Sequence, residues 1–144
     1  MRLALVLIGV GLGAWLDVIV FHDLLQWHHL ISGPVSMRTL HGLQRNVRAD
    51  GIFLACSWAV LAAGVALLWR AARARADVPV AAASAGLVLL GWGLFNVLDE
   101  ALFHLALGLH HIRQGHSHVG YDAPYGAVAL IQVLAGASLA RRAG

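Results

Sequence analysis

The chain alternates long apolar stretches with short polar breaks. Apolar residues dominate positions 3–30, 51–69, 79–112 and 124–140, and a membrane-crossing helix needs about 17–25 such residues. Ser32-Gly33-Pro34 ends the first run, because proline restricts the residue before it and cannot extend a helical hydrogen-bond ladder. The segment "RAARARADVP" divides the second run from the third. The third run is too long for one perpendicular span, so its end projects beyond the hydrocarbon. The pattern predicts an all-α integral membrane four-helix bundle: a first transmembrane hairpin over 1–69, a cytoplasmic linker over 70–78 and a second hairpin over 79–144.

Polar residues interrupt the first and third runs in the same way. "GVGLGAWLDVIVFHDLLQWHHL" begins at Gly9 and "GWGLFNVLDEALFHLALGLHHI" at Gly91, and the two agree at ten of twenty-two positions without a gap. The agreements include Gly9/Gly91, Gly11/Gly93, Asp17/Asp99, Phe21/Phe103, His22/His104, His28/His110 and His29/His111. A weaker match continues into the second span of each half, where Asp50-x-x-Phe53 resembles Asp122-x-x-Tyr125 and Gly64 corresponds to Gly136. Two spans per repeat make both copies point the same way. The halves are therefore expected to be related by a pseudo-twofold axis along the membrane normal.

Composition agrees with a membrane location: 60% of the 144 residues are hydrophobic and 12% charged, against about a quarter charged in soluble domains. All ten basic residues are arginine and they flank apolar segments, so the positive balance does not point to nucleic acid. Cys56 is the only cysteine, which rules out an intrachain disulfide and a thiolate cluster. The first run lacks a small-x-small cleavage site and its pattern recurs at Gly91, so it is read as a retained helix and not as a signal peptide. Arg2, Arg70, Arg73, Arg75, Arg141 and Arg142 fall on one side, and Arg38, Arg45, Arg48 and Arg113 on the other. That bias places both termini in the cytoplasm, in a bacterial inner membrane, with all nine histidines toward the periplasm.

The repeated polar residues carry the candidate chemistry. A carboxylate at the bilayer centre costs about 2.5–3.5 kcal/mol on insertion scales, so Asp17 and Asp99 need partners or a wet cavity. A lone histidine there is most simply polar glue between helices. A doubled Asp-x4-His-x5-His-His pattern is better explained by metal binding. The expected ligands are His22, His28, His29, Asp50, His104, His110, His111 and Asp122, with Asp17 and Asp99 as supporting groups or proton acceptors. His22 and His29 are seven residues apart, ~10 Å along a regular helix, so ligands are expected to come from different helices. A shared face favours His29 and His111 over His28 and His110 as direct ligands. Imidazole with carboxylate and little sulfur suits copper(II), zinc, iron or manganese; copper is preferred, with one ion on the axis or two close together.

Other residues read differently. His116-x-His118 delivers metal, completes the site or solvates a loop, and His41 has no assigned role. The glycines look like close-packing positions, since no strand precedes them as in a phosphate loop. Trp15, Trp58 and Trp92 are expected inside the bundle, Trp27 and Trp69 in interfacial belts, and Cys56 as a small buried filler. Three rival functions remain. One is a b-type haem protein with His22 and His104 as axial ligands. The second is a zinc-dependent membrane hydrolase with an open coordination position on a lipid-accessible cleft. The third is a proton-linked or structural role without metal.

The doubled motif, together with Asp-Gly-Ile-Phe opening the second helix, resembles a family of small predicted bacterial membrane proteins catalogued as a domain of unknown function. The resemblance covers nearly the whole chain and departs at Glu100, where many members carry glycine. It implies partners besides the lipid bilayer, among membrane metal-handling or oxidase-assembly proteins.

Overall fold

The computed structural model describes residues 1–77 and 79–142; Val78, in the expected linker, and residues 143–144, closing the expected second hairpin, lie outside the described residues. Among these the chain is all-helical. Helix α1 (Arg2–Asp17) runs on as a π-helical segment (Val18–Leu24), and α2 spans Leu40–Arg73. Helix α3 (Ala81–Leu98) runs on as a second π-helical segment (Asp99–Ala106), and α4 spans His118–Arg142. Four stretches are long and apolar enough to cross a membrane: Arg2–Leu24, Leu40–Arg73, Ala81–Ala106 and His118–Arg141.

Helix boundaries depart from the apolar runs in a consistent direction. The first and third helices end at Leu24 and Ala106, before the His-His pairs that the apolar runs include. At both ends the chain turns through a left-handed residue, Gln26 (φ 50°) and Gly108 (φ 57°). Trp27 N–H then reaches back to the Phe21 carbonyl and Leu109 N–H to the Phe103 carbonyl, closing each helix with its last carbonyls satisfied. The second helix starts well before Gly51, capped by the Thr39 hydroxyl, which accepts from Gly42 N–H. Its first turns carry His41, Arg45 and Arg48, and charged residues of this kind are costly inside hydrocarbon.

Helices α1 and α3 form the central pair, α2 packs on α1 and α4 on α3, and the outer two helices do not touch among the described residues. Small residues make this possible. A Cβ at Gly9 would strike the Val88 carbonyl, and one at Gly91 would strike the Val6 carbonyl. Gly64 lies in the same way against Ile8 and Ala4, and Gly136 against Leu90 and Gly86. Between membrane helices there is no hydrophobic driving force, so close backbone approach of this kind supplies the attraction. Three expectations of burial fail: Trp15 is 37% exposed, Cys56 is exposed and Trp58 is 61% exposed. Cys56 and Trp58 point away from α1, because α2 buries only the stripe that includes Asn46, Asp50, Ser57 and Gly64.

Candidate metal centre

The first π-helical segment begins directly after Asp17 and the second at Asp99. Asp17 and His22 are five residues apart, as are Asp99 and His104. In an α-helix that spacing turns the side chains well apart, whereas the i→i+5 repeat of a π-helix stacks them, and such segments recur at functional sites. His22 Nε2 thus lies 3.4 Å from Asp17 Oδ2, and His104 Nε2 lies 3.2 Å from Asp99 Oδ2.

The loops after these segments fold back into the centre. His28 approaches His22 with ring centroids 4.5 Å apart, and His110 approaches His104 at 4.7 Å. His28 and His110 stack on each other, 4.5 Å apart and 7° from parallel. Two histidines of one apolar run therefore come together, because the chain leaves the helix before the second histidine. The ring positions also differ from those of a shared helical face. His28 and His110 occupy the middle, while His29 and His111 turn outward to the carboxylates of Asp50 and Asp122.

Those two carboxylates organise the periphery in matching ways. Asp50 accepts from His22 Nδ1 at 2.8 Å, from His29 Nδ1 at 2.5 Å and from Leu30 N–H at 2.8 Å. Asp122 accepts from His111 Nδ1 at 2.6 Å and from Ile112 N–H at 2.9 Å. The same two residues hold the central histidines crosswise: His28 Nδ1 donates to the Ile112 carbonyl at 2.9 Å and His110 Nδ1 to the Leu30 carbonyl at 3.0 Å. The halves differ at His104, whose Nδ1 lies 2.8 Å from Glu100 Oε2 and 3.7 Å from Asp122 Oδ1.

Carboxylates and carbonyls only accept, so the Nδ1 atoms of His22, His28 and His110 carry the protons. In the neutral rings the lone pairs then lie on Nε2. The Nε2 atoms of His22, His28, His104 and His110 are all buried and have no hydrogen-bond partner. Burial, then the neighbouring rings of His110 and His22, push His28 well below the ordinary histidine range, which keeps that ring neutral. Ligand atoms of Asp17, His22 and His28 lie within 4.8 Å of one another, as do those of Asp99, His104 and His110. Two further sets meet the same limit: His22, His29 and Asp50, and Glu100, His104 and Asp122. These clusters are compatible with metal binding. His41 and His116 are exposed and join none of these sets.

Glu100 is absent from the expected ligands, and His118 is expected only as delivering metal, completing the site or solvating a loop. Glu100 had a signal, a carboxylate four residues before His104 inside an apolar run. The ring of His118 stacks on His111 at 3.6 Å, which depends on where α4 begins. On the other side of the centre, a cleft of about 290 Å³ between α1, α3 and α4 is lined by Asp17, Phe21, Trp92, Asn96, Tyr125 and Gln132. Asn96 donates to Gln132 Oε1 at 2.8 Å and accepts from the Tyr125 hydroxyl at 3.1 Å.

Comparison with curated proteins and with solved structures found no match. One family model does match, over residues 4–143. Its description, a predicted membrane protein, agrees with four membrane-length helices converging on a polar centre, and the chain belongs to that family, Predicted membrane protein (DUF2243).

Proposed function

We propose that this protein binds two neighbouring transition-metal ions within the membrane, one at Asp17, His22 and His28 and the other at Asp99, His104 and His110. The observation that carries the reading is the set of four buried imidazole Nε2 atoms without partners. Each unsatisfied buried polar atom costs about 1–3 kcal/mol, and bound ions would satisfy all four. Asp50 fixes the tautomer of His22, and Asp50 and Asp122 hold Leu30 and Ile112, whose carbonyls fix those of His110 and His28, as hydrogen-bonded partners of metal-bound histidine commonly do. Two imidazoles and one carboxylate per ion suit copper(II), iron, zinc or manganese; copper stays preferred for its affinity toward nitrogen donors. The role is metal handling or redox and oxygen chemistry at the bound metal. A haem between His22 and His104 would have to displace the stacked His28–His110 pair, which flanks both rings.

A second reading, catalysis on a membrane-soluble substrate, is favoured by the cleft that reaches Asp17 between α1, α3 and α4. It uses the same ions and adds an open coordination position on the lipid side.

Protein purified without a histidine tag is expected to contain two equivalents of a transition metal per chain by elemental analysis, matching the two central ligand sets. A content near zero after mild purification would sink the reading. Six arginines against four further place the loop end of the molecule in the periplasm. A reporter active only in the periplasm should work when inserted at Gly115 and fail at the C-terminus; the opposite result reverses the orientation.

A further inference from the structure

The two halves differ most at their outer flank. In the first half Asn46, fully buried, donates to the carbonyls of Val35 and Gly42 and ties the longer loop down over His29, which is only 6% exposed. In the second half the loop is shorter and His118 stands where the repeat places Asn46. There a cleft of about 440 Å³ opens beside Glu100, His104, His111, His118 and Asp122. Glu100 itself stands where the first half has Val18.

This flank has unspent ligand atoms. His104 is 1% exposed, and its Nδ1 has no hydrogen-bond partner although it faces Glu100 Oε2 at 2.8 Å, an oxygen that also lacks one. The equivalent nitrogen of His22 is satisfied by Asp50. Ligand atoms of Glu100, His104 and Asp122 lie within 4.8 Å of one another. The exposed ring of His118 stacks on His111 at 3.6 Å, which holds an imidazole at the mouth of the cleft.

We propose that Glu100, His118 and Asp122, with Nδ1 of His104, form a third cation site that receives a divalent transition-metal ion from the loop end and passes it to the central pair. The proposal rests on the two-ion reading above. His104 is the link, because its Nδ1 faces the receiving site and its Nε2 faces Asp99 and His110. The neutral ring has one lone pair and serves the two sites in turn, with its proton on Nε2 beside Asp99 while Nδ1 holds the entering ion and on Nδ1 beside Glu100 once Nε2 holds it. The first half, capped by its loop and lacking both Glu100 and His118, has no such path. The ion is a borderline metal of the copper(II), zinc or cobalt(II) kind, since the donors are imidazole and carboxylate.

Cobalt(II), followed by its visible absorption, tests this on metal-free, untagged protein in detergent micelles. Wild type should take up a weak ion in a fast phase and then two tighter ions slowly. Glu100→Gln and His118→Ala should lose the fast phase, bind two ions and fill them about tenfold or more slowly, the scale of a lost supporting contact. His118 is exposed, so His118→Ala carries the test even if Glu100→Gln fails to fold. His28→Ala should keep the fast, weak ion while losing the tight pair. Two tight ions filling in both variants at the wild-type rate would overturn the receiving site and leave the central pair standing. No cobalt uptake by wild type would overturn both.

Discussion

Replacing His28 or His110 with alanine is expected to empty the centre of metal, with affinity falling by more than about 100-fold, whereas His29→Ala or His111→Ala should retain metal with affinity lower by about 10–100-fold. The difference follows from which nitrogen each ring has left. His28 and His110 spend Nδ1 on backbone carbonyls and present buried, unpartnered Nε2 atoms to the centre. His29 and His111 spend Nδ1 on Asp50 and Asp122, so they act by fixing those carboxylates. Metal content by elemental analysis and affinity by competition with a chelator check this, with helical content confirming the fold. A His29→Ala protein without metal beside a His28→Ala protein with it would reverse the assignment.

Gly9→Leu and Gly91→Leu should each abolish the docked state of α1 and α3 and with it the metal centre. Ordinary overpacking costs about 1–3 kcal/mol because side chains shift. Here the added atoms would meet backbone carbonyls, of Val88 and Val6 respectively, and a carbonyl inside a helix has little freedom to move. Gly9→Ala should already fall at or above the top of that range. Gly51→Ala is the contrast, since a Cβ there meets nothing within 4 Å, and helix propensity should make it stabilising by up to about 1 kcal/mol. Unfolding by denaturing detergent, read by circular dichroism, measures all of these. Equal stability of Gly9→Leu and wild type would show that the central pair is held by other contacts.

The membrane class, the four helices and the polar residues of the centre were legible because they rest on composition, run length and an ungapped repeat. Which histidine of each pair turns inward was not, and the reason is local. A regular helix carried through residue 29 puts His29 beside His22, but the π-helical segments change the residues per turn and the left-handed Gln26 and Gly108 reverse the chain. Apolar periodicity carries no signal for either event. The outward Trp58 and Cys56 were hidden because lipid and protein interior accept the same side chains. Glu100 was visible as a buried acid next to Asp99, but its nearness to Asp122 is a tertiary fact. The crosswise bonds through Leu30 and Ile112 use backbone carbonyls, which no side-chain motif can announce.

Those crosswise bonds also dictate an order of assembly. The His28–Ile112 and His110–Leu30 contacts join residues 84 and 80 positions apart, one from each half of the chain. Each ligand set lies within one half, but neither half can fix its central histidine alone, so the centre is locked only after both hairpins have inserted and docked. Long-range closure of this kind comes late, since its entropy is lost before any contact compensates for it. An ion held by the finished centre binds the docked form more tightly than its separated hairpins, whose central histidines lack their crosswise bonds, and so acts as a latch on the last folding step. At a free concentration 100 times its Kd, one such ion would add about 2.7 kcal/mol to the docked state.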